Sequence, residues 1–168
     1  VEHPNPIYIR LGKGNEPILT PDDIPFQIGK AIPMRDGKDA LILTTGVTLQ
    51  AVLEAEKALK VQGISATVLH LPTVKPLDTA AILQAADRVS AIVTIEEHTV
   101  IGGLGSAVAE LIAEANFDRP KRFKRIGIPD VFPSQYGSQQ SLMALYGITS
   151  DRIASTVMEL LSKVPVVC

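Results

Sequence analysis

A three-layer α/β domain with a mixed, mostly parallel sheet of about five strands is the fold class predicted here, on three observations. Short β-branched runs alternate with longer amphipathic runs along the 168 residues, which is the pattern that parallel pairing through helical crossovers requires. The central stretch Ala91-Ile-Val-Thr-Ile95 leads through Glu96, Glu97 and His98 to Gly102, Gly103 and Gly105. An amphipathic run from Ser106 to about Ala115 follows, so strand, polar turn, bend and helix form half of a βαβ unit. Finally, the Asp36-Gly37 pair between two apolar runs predicts one hairpin, hence one antiparallel strand.

Each element has its own local signal. Ile7–Leu11 alternates well enough for a short strand, closed by Gly12-Lys-Gly14. A lone strand needs partners for its backbone groups, so it must pair with the body or with something outside this sequence. Residues 17–25 carry three prolines and two aspartates and read as an extended linker. Phe26–Met34 and Asp39–Thr44 are the hairpin strands. Val47–Val61 has Leu49, Val52, Leu53, Glu56 and Leu59 on one helical face, and Gly63 ends it. Ser65–Leu71 is the next strand, and Asp78 is the expected N-cap of a helix over Thr79–Ala86. Strand Ala91–Ile95 enters the central stretch. Arg122–Ile128 is the last strand, followed by helices over Gln139–Tyr146 and Ser150–Lys163.

Composition excludes several classes. A net charge of −2 lacks the basic footprint of a nucleic-acid binder. No apolar run reaches the roughly 18 residues of a membrane span. The single cysteine, Cys168, allows no internal disulfide and fits a cytoplasmic protein. A first residue other than Met points to a processed or excised chain.

The chemistry-bearing residues gather in the central stretch. Gly103-Leu-Gly105 is reminiscent of a dinucleotide fingerprint, but Val108 stands at its sixth position and no acidic residue follows at the ribose distance. The glycines instead allow a tight bend, and a helix start there could hold a phosphate or carboxylate. Glu96, Glu97 and His98 have the make-up of an acid/base cluster, or of a domain interface exchanging hydrogen bonds. Ser106 lies in the helix with no nucleophile elbow around it. His3, His70 and His98 are too scattered for a metal site. No self-sufficient catalytic apparatus is visible.

Several motifs together carry a resemblance. Asp36–Gly46, Thr73-Val-Lys-Pro-Leu-Asp78, Glu96-Glu-His98 with Gly102–Val108, and Tyr146-Gly-Ile148 occur in the order found in transketolases. The chain resembles most the C-terminal domain of thiamine-diphosphate transketolases whose polypeptide is split in two. That resemblance implies that residues 1–16 are the tail of a preceding pyrimidine-binding domain, 17–25 a linker, and 26–168 the C-terminal domain. It implies thiamine diphosphate and Mg2+ in the full enzyme, bound by pyrimidine- and diphosphate-binding domains outside this sequence, and a homodimer. It also implies a non-catalytic, assembly or regulatory role for this domain, which alone would be inactive. Lys13 matches the position of an arginine that meets the sugar phosphate, with Arg10 nearby. Glu97, His98, Gly102, Gly103, Gly105 and Ser106 are the expected anion or interface site. The loop Phe132–Gly137 departs from the shorter turn of the family. Alternatives are the same domain from deoxyxylulose phosphate synthase or a 2-oxo-acid dehydrogenase β subunit, or a free-standing anion-binding module.

Overall fold

The computed structural model describes residues 4–12, 14 and 16–162. Lys13, Cys168 and the expected helix end at Lys163 lie outside the described residues. The organising element is β2 (Ala40–Thr44), whose five residues are all buried. A strand covered on both faces reads as a continuous apolar run, and Ala40-Leu-Ile-Leu43 is one. It takes the centre of a five-stranded sheet of order β1-β3-β2-β4-β5, with β1 (Ile32–Arg35), β3 (Ala66–His70), β4 (Ala91–Thr99) and β5 (Arg122–Ile128). β2 runs parallel to β3 and β4, and β4 parallel to β5, while β1 is antiparallel to β3 at the edge.

Alternation along the strands divides the core into two layers. Ile42, Val68 and Val93 face α1 (Leu49–Val61) and α5 (Ser150–Ser162) through Val52, Leu59, Ile153 and Val157. Leu41, Leu43 and Ile92 face α2 (Thr79–Asp87) and α3 (Leu104–Glu114) through Ile82, Ala86, Leu104 and Val108. The short α4 (Gln139–Leu145) adds Met143 to the first layer. α1 starts later than its sequence predicts, because a 3-10 turn over Gly46–Thr48 precedes it.

The expected hairpin does not form. β1 does run opposite to β2, but its hydrogen bonds go to β3. After β1 the chain crosses the start of β3 before entering β2. The Lys38 and Asp39 amides both donate to the Ser65 carbonyl, at 3.1 and 2.9 Å. The Asp39 carboxylate accepts from the Ser65 amide at 2.7 Å, and the Thr67 hydroxyl donates to the Gly37 carbonyl at 2.7 Å. Burial decides the order. The fully buried Ala40–Thr44 suits a central place, whereas β1 carries Pro33, which has no amide for a second neighbour.

β1 is also shorter than Phe26–Met34. Gly29 turns with φ +78° and donates to the Thr73 hydroxyl, and the Ala31 amide donates to the Asp78 carboxylate. Side chains of the β3–α2 loop thus take donors that a longer strand would have used. Ile7–Leu11 forms no strand, and Tyr8 and Leu11 are exposed. Among the described residues no strand pairs with it. Residues 17–25 carry neither helix nor strand, yet Leu19 and Ile24 rest on the first core layer.

Asp78 caps α2 as expected, accepting from the Ala81 amide at 3.3 Å while also holding Ala31. The Ala31 amide most of all, with Ala81 and the nearby Lys30 charge, holds its carboxyl below the usual aspartate range against the opposing effect of burial. A depressed acid pKa contributes stability at neutral pH that is lost as pH falls through the folded-state value. Asp78→Ala is therefore expected to cost about 1–2 kcal/mol at pH 7, and the gap from wild type to shrink under acid. Urea titrations at pH 7 and pH 3 that give the same gap would refute this.

Candidate functional site

β4 outruns its neighbour β2. Its pairing with β2 ends at Ile95, but with β5 it continues to Thr99 past a register irregularity. Glu96, Glu97 and His98 therefore sit in a strand overhanging the C-terminal edge of the sheet, not in the turn that the sequence predicts after Ile95. Successive strand residues face opposite sides. Glu96 and His98 turn toward the start of α3, and Glu97 turns away from it.

Glu96 is buried, with its carboxylate clasping the start of α3. One oxygen accepts from the Leu104 amide at 2.7 Å and the other from the Gly105 amide at 2.8 Å. These are two of the donors that a helix start leaves open. The Gly103 cap residue supplies no side chain of its own. The place that the sequence leaves for an outside anion is thus taken by an internal carboxylate. Burial pushes the Glu96 carboxyl upward, while the two amides and the His98 and Arg125 charges pull it back. A Cβ on Gly103 would run into the Glu96 carboxylate, and one on Gly105 would sit 2.8 Å from the Thr94 hydroxyl. These glycines make room for the clasp.

The bend before α3 is pinned by two more side chains. The Ser106 hydroxyl accepts from the Gly102 amide at 3.0 Å and donates to the Val100 carbonyl at 3.0 Å. Arg125 on β5 donates to the same carbonyl at 2.6 Å and to Ser106 at 3.1 Å. His98 is half-exposed, its Nδ1 2.8 Å from the Thr99 carbonyl and 3.9 Å from Glu96. With Gly102, Val100 and Arg125 as its partners, the Ser106 hydroxyl holds this loop in place.

On the other side of β4, Glu97 meets Arg10 across 87 positions of sequence. Arg10 donates to the Glu97 carbonyl at 2.7 Å and to its carboxylate at 3.2 Å, while Gln139 donates to the second carboxylate oxygen at 2.7 Å. The structure so brings together Glu96, His98, Gly102, Gly103, Gly105 and Ser106 on one side, and Arg10 with Glu97 on the other. Sequence reasoning passes over Arg125 and Gln139, both ordinary surface types. The burial of Glu96, which forces its carboxylate to find donors, shows itself only in the structure.

Elsewhere, burial lowers the pKa of His70, partly offset by the Thr44 backbone, and its Nδ1 has no partner. Among the described residues no three His, Cys, Asp or Glu side chains gather where they could hold a metal ion. Nor, among them, is any helix long and apolar enough to cross a membrane.

Sheet order, an overhanging β4 and a carboxylate-clasped α3 define an α/β domain whose C-terminal sheet edge is organised by side-chain-to-backbone bonds. Residues 29–153 match the family described as the transketolase C-terminal domain, and the chain belongs to that family. A transketolase family protein of Sinorhizobium fredii is 42% identical over 163 residues, 96% of this chain and 47% of that one. A 1-deoxy-D-xylulose-5-phosphate synthase of Trichormus variabilis is 40% identical over 157 residues, 92% of this chain but 24% of the synthase. A solved structure titled as a split-gene transketolase, inactive β4 tetramer, superposes with a TM-score of 0.83 at 37% identity, covering 92% of this chain and 50% of that one. The chain spans about half the length of the transketolase-type relatives it matches.

Proposed function

We propose that this chain is the non-catalytic C-terminal domain of a split transketolase, an enzyme that moves two-carbon ketol units between sugar phosphates in the cytoplasm. The observation that carries the reading is Ile7–Leu11, a stretch with the alternation of a strand but no strand partner among the described residues, whose Tyr8, Ile9 and Leu11 are 89%, 62% and 83% exposed. Such a stretch is suited to completing a sheet in a neighbouring domain. Thiamine diphosphate and Mg2+ would belong to the pyrimidine- and diphosphate-binding domains. This domain would contribute assembly, in a homodimer or a higher oligomer. Lys13 remains the proposed contact for the sugar phosphate, as a point charge. The identity with a deoxyxylulose phosphate synthase supports a second reading, in which the same domain serves that enzyme.

The test is reconstitution. The longer polypeptide carrying these residues, mixed with the subunit carrying the diphosphate-binding domain, is expected to transfer a ketol unit from a ketose phosphate to an aldose phosphate. Activity should need both polypeptides, thiamine diphosphate and Mg2+, and the 168 residues alone should have none. Release of CO2 from pyruvate with glyceraldehyde phosphate, in place of ketol transfer, would establish the second reading. Tight calorimetric binding of thiamine diphosphate to this chain alone would overturn both.

A further inference from the structure

Arg10 stands three positions before the proposed phosphate contact and is the other cation expected there, yet its guanidinium is engaged elsewhere. Two of its nitrogens hold Glu97, one on the main-chain carbonyl and one on the carboxylate. Gln139, at the start of α4, holds the other carboxylate oxygen. Glu97 is mostly covered, with a side chain 21% exposed, while Arg10 is 56% exposed. Apolar packing holds the stretch around Arg10 only weakly, since Tyr8, Ile9 and Leu11 are largely exposed and Ile7 is 43% exposed. We infer that Arg10 is a positioning residue: its fork on Glu97 clamps the segment Ile7–Leu11 to the C-terminal edge of β4 and sets how that segment is presented to the neighbouring domain.

The geometry favours a clamp over a phosphate ligand for two reasons. A guanidinium binds in a planar fork, and the fork here is spent on a carbonyl and a carboxylate of one residue. Releasing it to a phosphate would leave Glu97 with Gln139 alone as its donor, beside an incoming anion of the same sign. The main-chain bond matters too, because it survives replacement of the Glu97 side chain. The inference rests on the proposed function for the neighbouring domain and for its activity readout, while the clamp itself rests on the Arg10–Glu97 geometry.

The experiment uses the assembled enzyme with wild type, Arg10→Ala, Glu97→Ala and the double variant, read by hydrogen exchange at residues 7–11 and by KM for phosphorylated and unphosphorylated ketoses. Exchange at 7–11 is expected to rise about 2- to 5-fold in each single variant, as befits a half-exposed ion pair. The double variant should be no worse than Arg10→Ala, the signature of one shared interaction. Arg10→Lys should recover only part of the protection, since the fork is lost. KM should rise equally for both kinds of ketose. A KM loss confined to phosphorylated ketoses in Arg10→Ala, with Glu97→Ala silent, would make Arg10 a phosphate ligand and overturn the clamp. Unchanged exchange in all variants, or full additivity of the two singles, would overturn it as well. If the wild-type assembly transfers no ketol unit, the functional reading fails while the exchange cycle still decides the clamp.

Discussion

Glu96→Ala is expected to destabilise the chain by about 3 kcal/mol, since it strips two buried amides of their acceptor and each unmet buried donor costs about 1–3 kcal/mol. Leu104 and Gly105 open α3, and among the described residues the Gly103 N-cap offers no side chain in place of Glu96. The loss is tempered because a buried carboxylate carries its own desolvation cost, seen in the upward displacement of its pKa. Glu96→Gln keeps one acceptor and turns a donor toward the other amide, so it should lose about half as much. Urea unfolding of the full chain at pH 7 measures both. Loss of α3 protection in hydrogen exchange, with α1 and α5 spared, would locate the damage. An alanine variant within about 0.5 kcal/mol of wild type, the range of ordinary surface changes, would mean that the clasp contributes nothing.

Gly37→Ala should be comparably harmful, at about 3 kcal/mol, the upper end for overpacking. A Cβ there would overlap the carbonyl carbon of Ala66 and come within 2.6 Å of the Ser65 carbonyl group. These are backbone atoms at the start of a buried strand, so they have nowhere to go. The loop would have to lift from β3 and give up its bonds to Thr67 and Ser65. Gly46→Ala is the control. Gly46 has φ +58° but nothing within 4 Å of the added carbon, so only the left-handed penalty of about 1–2 kcal/mol applies. If thermal unfolding finds Gly37→Ala no worse than Gly46→Ala, the close crossing over β3 is not as described.

Most of the fold could be read from local pattern, because helices and buried strands announce themselves within a dozen residues. α1, α2, β5 and the Asp78 cap all follow from periodicity and turn chemistry. Strand adjacency did not follow, since Asp36-Gly37 is the same dipeptide whether it closes a hairpin or crosses a strand. What decides is which strand needs cover on both faces, and that is a property of the whole sheet. The site was half legible. The glycines and the Glu96-Glu-His98 run were visible, but their roles depend on β4 continuing past Ile95. That extension places Glu96 against α3 and Glu97 against a residue 87 positions away, and no local signal encodes either meeting.

The edge position of β1 has a consequence for the order in which the molecule forms. Its partner residues, Val68 to His70, lie more than thirty positions downstream, with all of β2 and α1 between. Closing that loop costs chain entropy that only an existing β3 can repay. The parallel unit β2–α1–β3 buries large apolar surface on its own, so it can condense first and offer β3 as a template. During synthesis β1 leaves the ribosome before β3 and has to wait for its neighbour to be made. Whatever is attached upstream of residue 31 is therefore tethered, through the early life of the chain, to a strand not yet in place.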